Sequence, residues 1–296
     1  MKFKLFTFSI LVAMGIPAHA DDLAIAAKLE ALGGKIGQKN GVVTEVSFRN
    51  SKELGADEFQ IISELSGLRK LTVYGHAAGL NDETVGLLSK LKSLESLSVD
   101  GAQLSDAGLE KIADVKSLQS VSFFHLSFRK EGFTGSGFST WKTLPTLKKL
   151  TVAGMSMGDD GFAAISEIKT LTDFRTWHTY RTDASHAMLA KLPNLTSLKL
   201  GQRLPGSERP QCLTDASLKT IATMTALTSL EIGESRFSFN ALKQLKALPE
   251  LKKLKIVLTK IELGDIESLK TELPNVEVIF EPLTDEQRKR LEGYLK

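Results

Sequence analysis

The residue types able to do chemistry in this chain are few and scattered: five histidines, a single cysteine, and 38 basic against 35 acidic side chains. Nucleophilic catalysis needs a serine, threonine or cysteine within hydrogen-bond reach of a base that a third group orients. No motif places such a set beside His76, His125, His178 or His186, so no catalytic residue is assigned and the chain is read as non-enzymatic. A structural zinc needs ligands converging to about 2.0–2.3 Å. The repeat described below sets His76, His125 and His178 two strands from one another, and neither a metal site nor a cofactor is assigned. Asp159-Asp160 reads as a helix cap. What remains is a group suited to binding: Tyr74, Phe124, His125, Asp173, Arg175, Trp177, His178, Tyr180 and Lys199.

A periodic pattern positions that group. Leu94, Leu97 and Val99 read L-x-x-L-x-L, a short strand whose alternate side chains turn inward. Leu104, Leu109, Ile112 and Val115 follow, the last three at helical spacing, and Leu118 starts the pattern again. The first slot recurs at Val43, Leu68, Leu94, Leu118, Leu147, Leu171, Leu195, Leu227, Leu251 and Val276. The intervals are 25, 26, 24, 29, 24, 24, 32, 24 and 25 residues. Self-similarity at a period of roughly 20–30 residues marks a solenoid, in which each copy needs its neighbours to complete a core. The helical half recurs as well, with Trp141 and His186 in inward slots and therefore read as core. Asn81-Asp82, Ser105-Asp106, Thr182-Asp183 and Thr214-Asp215 read as helix caps.

Strand-then-helix units of this length resemble the leucine-rich repeat family. Over about residues 42–280 they are most similar to the ribonuclease-inhibitor-like subgroup and to bacterial secreted relatives with a Thr-Asp-Ala-Gly-Leu signature, which Leu104–Leu109 and Leu213–Leu218 approach. The resemblance implies an α/β horseshoe, with a parallel β-sheet on the concave face and short helices on the convex face. It implies a partner-binding scaffold and no particular chemistry. The slot that the family often fills with asparagine holds Ser51, His76, Ala102, Leu126, Met155, Thr179, Arg203, Ser235 and Thr259, so an asparagine ladder is absent.

In such a horseshoe the central outward row runs from Ser47 and Thr72 to Arg175, Lys199, Glu231 and Lys255. The next row is Arg49, Tyr74, Asp100, Phe124, Ala153, Trp177, Gly201, Gly233 and Val257, with large aromatics on the second, fourth and sixth repeat strands. At a strand spacing of about 4.8 Å these rings are expected roughly 10 Å apart. That spacing makes a row of shallow clefts for an extended peptide or a glycan; the alternative is rings packed on loops at the sheet's edge. Two long intervals add residues between Ser127 and Gly137 and between Gln202 and Gln211, flanking the sixth repeat.

Residues 1–20 read as a signal peptide. Lys2 and Lys4 precede an apolar run from Leu5 to Ile16, and Ala18-His19-Ala20 is a small-x-small cleavage pattern. The run is shorter than the roughly 20 apolar residues of a spanning helix. Residues 21–41 are expected as an N-terminal capping helix, with Leu29, Leu32 and Ile36 covering the first repeat. Residues 42–280 are the repeats, about ten strands, and 281–296 a C-terminal capping helix or tail in which Thr284 and Gln287 fit a capping box. Loss of Lys2 and Lys4 lowers the net charge from +3 to +1, which leaves no charge argument for nucleic acid. No other stretch is long and apolar enough for an integral membrane anchor, and no cysteine follows the cleavage site to carry a lipid. By the resemblance, the lack of cysteine-rich caps points to a bacterial envelope. The sequence thus reads as a secreted or periplasmic monomer that binds a protein or peptide through its concave face, with polysaccharide as the alternative ligand.

Overall fold

A computed structural model describes residues 20–128, 131–204 and 211–295. The expected signal segment before Ala20 and residues 205–210 of the second insertion lie outside the described residues. Within them, each copy of the pattern becomes a strand followed by a helical turn. The strands are β1 Lys35–Lys39, β2 Val42–Phe48, β3 Lys70–Val73, β4 Ser96–Asp100, β5 Ser120–Phe124 and β6 Lys149–Ala153. They continue as β7 Asp173–Trp177, β8 Ser197–Leu200, β9 Ser229–Gly233, β10 Lys253–Val257 and β11 Glu277–Phe280. They form one sheet in chain order, β1 to β11. Strands β2 to β11 are parallel, and helices or 3-10 turns separate them. The architecture is a curved α/β leucine-rich-repeat solenoid.

The amino-terminal end departs from the expected lone helix. Helix α1, Ala20–Ala31, gives way at Gly33 (φ 84°), and the chain turns back as β1, antiparallel to β2 with Lys35 opposite Ser47. Leu29 is buried and Ile36 packs on the core, but Leu32 is 40% exposed. The polar run Lys35-Ile-Gly-Gln-Lys39 carries no strand signal of its own. It is a strand because the open edge of β2 offers its backbone groups a partner.

Inward side chains of β2 to β10 are buried, among them Leu71, Leu97, Val121, Phe123, Leu150, Phe174 and Leu230, while Val278 and Phe280 of the terminal β11 are only partly buried. Trp141 is fully buried, and its Nε1 donates to the Leu109 carbonyl at 2.9 Å. His186 is buried too. The slot of the missing asparagine ladder is also buried, except at His76, where Ala77 takes the inward place.

Aspartates at the helix starts link consecutive repeats instead. Asp82 accepts from the Ser105 amide at 2.7 Å, Asp106 from the amides of Thr134 (3.0 Å) and Gly137 (3.2 Å), and Asp159 from the Thr182 amide at 2.8 Å. Asp183 accepts from the Ser217 hydroxyl at 2.8 Å, and Asp215 from the Ser238 amide at 2.9 Å. Ser105 does cap its own helix α3, Asp106–Ile112, through the Gly108 amide. The neighbouring aspartate reaches across to the next copy. These latches explain the glycine of the signature: a Cβ on Gly108 would lie 2.1 Å from Asp82 Oδ1.

At the far end, Thr284 and Gln287 form the expected capping box, at 2.9 and 3.2 Å. The helix they open, Asp285–Tyr294, is held by Arg236 on Glu292 and by Gln211 on the Leu295 carbonyl. It therefore fastens to loops of earlier repeats.

Candidate functional site

Most repeat strands end in a residue held at positive φ. Gly75, Gly101, His125, Gly154, His178, Glu234 and Leu258 have φ between +48° and +80°. This conformation costs a side-chain-bearing residue roughly 1–2 kcal/mol, which the stacked repeats sustain. The bend turns the chain off the sheet and leaves the residue before it at the rim of the concave face. It also aims two histidines at carboxylates: His125 Nδ1 lies 2.8 Å from Asp100, and His178 Nε2 lies 3.1 Å from Glu234. His76 is exposed, with φ 68°.

Tyr74, Phe124 and Trp177 occupy the rim row, each half-buried. Their rings are not about 10 Å apart as strand spacing alone predicts. Tyr74 and Phe124 meet edge to face at 5.9 Å between centroids, and Phe124 and Trp177 meet at 6.1 Å, tilted by 49°. The intervening Asp100 and Ala153 are too small to hold the rings apart, and aromatic pairs gain from contact at this range. A single stripe replaces the row of separate clefts. Lys199 extends it, with Nζ 4.8 Å from the Trp177 centroid.

The charges beside the stripe are matched. Arg175 is clamped to Asp173 through Nε and Nη2, both at 3.0 Å. The Asp173 hydrogen bond raises the Arg175 pKa above its ordinary value against the opposing effect of burial. Lys199 and Lys255 share Glu231 at 2.9 and 3.6 Å. Glu234 accepts from the Gln202 amide at 3.1 Å as well as facing His178. Beyond Trp177 a pocket of about 130 Å³ opens between the Trp177 ring and Val257, floored by Gly201 and Gly233.

The structure therefore brings together Tyr74, Phe124, Asp173, Arg175, Trp177, His178 and Lys199, with His125 at the rim. Tyr180 is apart: it lines a cleft with Phe133, Thr134 and Asp159, between the first insertion and helix α4, Asp159–Ile165. At the start of that insertion Phe128 meets His125 edge to face at 6.3 Å between ring centroids, and further on Phe133 is buried. Just after the second, Cys212 is buried beside Gln202. Burial raises the pKa of its thiol, the opposite of what a nucleophile needs. Glu234 and the glycine floor were not found from sequence; the one signal for the floor is the consecutive glycines of the rim row.

No known family model matches the chain, and no curated protein matches it. Among solved structures it is similar to an internalin (inlF) from Listeria monocytogenes, 16% identical over 96% of this chain and 97% of that chain, with a TM-score of 0.44. It is also similar to internalin C2 from Listeria monocytogenes, 14% identical over 90% of this chain and 93% of that one, with a TM-score of 0.48.

Proposed function

We propose that the chain is an exported, non-enzymatic scaffold that binds a protein or extended peptide partner across its concave face. The observation that carries this reading is the continuous stripe Tyr74–Phe124–Trp177–Lys199, half-exposed and bordered by internally paired charges. Aromatic anchors ringed by polar groups are where binding energy concentrates at protein interfaces. Matched ion pairs at the rim add specificity more than affinity. A polysaccharide is the less favoured ligand. A sugar stacks on an open ring face, whereas the Tyr74–Phe124 contact is edge to face and the Lys199 ammonium sits over Trp177.

Export rests on residues 1–20, and no helix among the described residues is long and apolar enough to cross a membrane. Within leucine-rich repeats we place the chain with the ribonuclease-inhibitor-like and Thr-Asp-Ala-Gly-Leu relatives. The support is that both signature copies open seven-residue α-helices, Asp106–Ile112 and Asp215–Ile221.

The test is capture from envelope extract on the immobilised mature chain, with the bound protein identified and its Kd then measured. Trp177→Ala should weaken that Kd at least about tenfold, equivalent to roughly 1.4 kcal/mol, while the convex-face change Lys219→Ala leaves it unchanged. Equal affinity for wild type and Trp177→Ala would remove the stripe from the site.

A further inference from the structure

The rim row alternates large and small side chains: Tyr74, Asp100, Phe124, Ala153, Trp177, Gly201. Continued one step, the alternation calls for a ring on β9, at the position paired with Val257 of β10. That position is Gly233. Neither Gly201 nor Gly233 adopts a left-handed φ, so the backbone does not demand glycine there. Space does. A Cβ on Gly201 would lie 2.7 Å from both Glu234 Oε2 and the Trp177 Cβ, and one on Gly233 would lie 2.7 Å from both Cγ2 and the carbonyl oxygen of Val257. The glycines let Trp177, Glu234 and Val257 approach the backbone closely, and between Trp177 and Val257 lies a gap of about 130 Å³ that Gly201 and Gly233 line. A cavity of about 150 Å³ holds one benzene molecule, so the gap has the size of a single aromatic ring.

Resting on the concave-face reading above, we propose that this gap seats an aromatic side chain of the partner, which completes the ladder as its fourth rung. Rings in the stripe already meet at 5.9 and 6.1 Å, and a ring over Gly233 meets Trp177 in the same way. A cationic side chain is selected against. Two carboxylates line the gap: Glu231 is already shared by Lys199 and Lys255, and Glu234 faces His178 and accepts from the Gln202 amide, so an incoming cation finds both counter-charges already engaged. Those same ammonium groups attract the electron-rich face of an aromatic ring. An aliphatic side chain fills the space without the ring contact or that attraction. The partner segment is thus an extended strand carrying a Phe, Tyr or Trp that reaches the seventh and eighth repeat strands.

The test uses ¹⁵N-labelled protein with N-acetyl-tyrosinamide and N-acetyl-tryptophanamide as probes, and N-acetyl-leucinamide and N-acetyl-lysinamide as controls. Saturable shifts of the Gly201 and Gly233 amides with the aromatic probes alone are expected. Val257→Phe, which puts the chain's own ring into the gap, should weaken them at least about tenfold. If that variant does not fold, Trp177→Ala removes one wall and carries the same expectation. Equal binding of the leucine probe, tighter binding of the lysine probe, or no saturable shift from any probe would each overturn the proposal. Partner capture separates this idea from the one beneath it. If Trp177→Ala abolishes capture and Val257→Phe leaves it intact, the concave face binds and the pocket assignment falls. If neither variant changes capture, both fall.

Discussion

His186 occupies an inward slot with its Nδ1 at 3.0 Å from both the carbonyl and the carboxylate of Asp183. Both partners are acceptors, so Nδ1 carries the proton and Nε2 keeps a buried lone pair with no hydrogen-bond partner. Burial first, and the Arg181 charge second, lower the pKa of the ring from 6.5 to about 4, against the pull of Asp183. A folded value below the unfolded one means that folding favours the neutral ring. Its contribution is complete above about pH 6.5 and is lost as pH falls toward 4, to a total on the order of 3 kcal/mol. Urea unfolding at pH 7 and pH 4 should therefore show a larger loss for wild type than for His186→Leu; parallel losses would put the acid sensitivity elsewhere. Rim and core rings separate by the same measurement at neutral pH. Phe123→Ala, which empties a fully buried slot, should cost about 3–5 kcal/mol. Trp177→Ala, half-buried against Phe124 and Lys199, should cost about 1–2 kcal/mol.

Between repeats, the aspartate latches bind each helix start to the next. In an ordinary helix interior, glycine to alanine gains roughly 1 kcal/mol. Gly108→Ala should instead lose about 1–3 kcal/mol, because the new methyl meets Asp82 Oδ1. On an Asp82→Ala background the same substitution should become stabilising. A double-mutant cycle reads this reversal directly, and a cycle with no coupling would disconnect Gly108 from the latch. Residue 217, the counterpart of Gly108 in the seventh repeat, is a serine that donates to Asp183 and so uses the same space as a link. Copies of the signature thus differ in residue while keeping the contact.

Across the whole molecule, each repeat completes its core only against its neighbours, so damage spreads along the array. Leu97 is fully buried on β4, and Leu97→Asp places an unpaired charge in that shared core. The expected result is loss of several kcal/mol and a broadened urea transition as adjacent repeats unfold together. A transition with the wild-type midpoint would mean that the inward phase of β4 is misassigned. The two ends are built differently from the middle. An antiparallel strand covers the first repeat, and the last helix is tied back to Gln211 and Arg236.

The ten strand starts, the inward and outward alternation on each strand and the helical slots holding Trp141 and His186 follow from the sequence alone. They depend on periods of two and about three and a half residues, which are local and survive whatever the chain packs against. The candidate residues on the concave row were readable for the same reason, once the phase of each strand was known. What lay beyond that reading depends on contacts between residues at least one repeat apart. The rings close from an expected 10 Å to about 6 Å because Asp100 and Ala153 leave room between them. The aspartates reach the following repeat as well as sitting at their own helix starts. Tyr180 leaves the stripe because the chain turns off the sheet after His178 (φ 52°). β1 pairs only because β2 presents an edge, and the ring-sized gap over Gly201 and Gly233 exists only between side chains of β7 and β10. No local period encodes a gap, since its walls are set by the stacking of repeats and its floor by side chains that are missing.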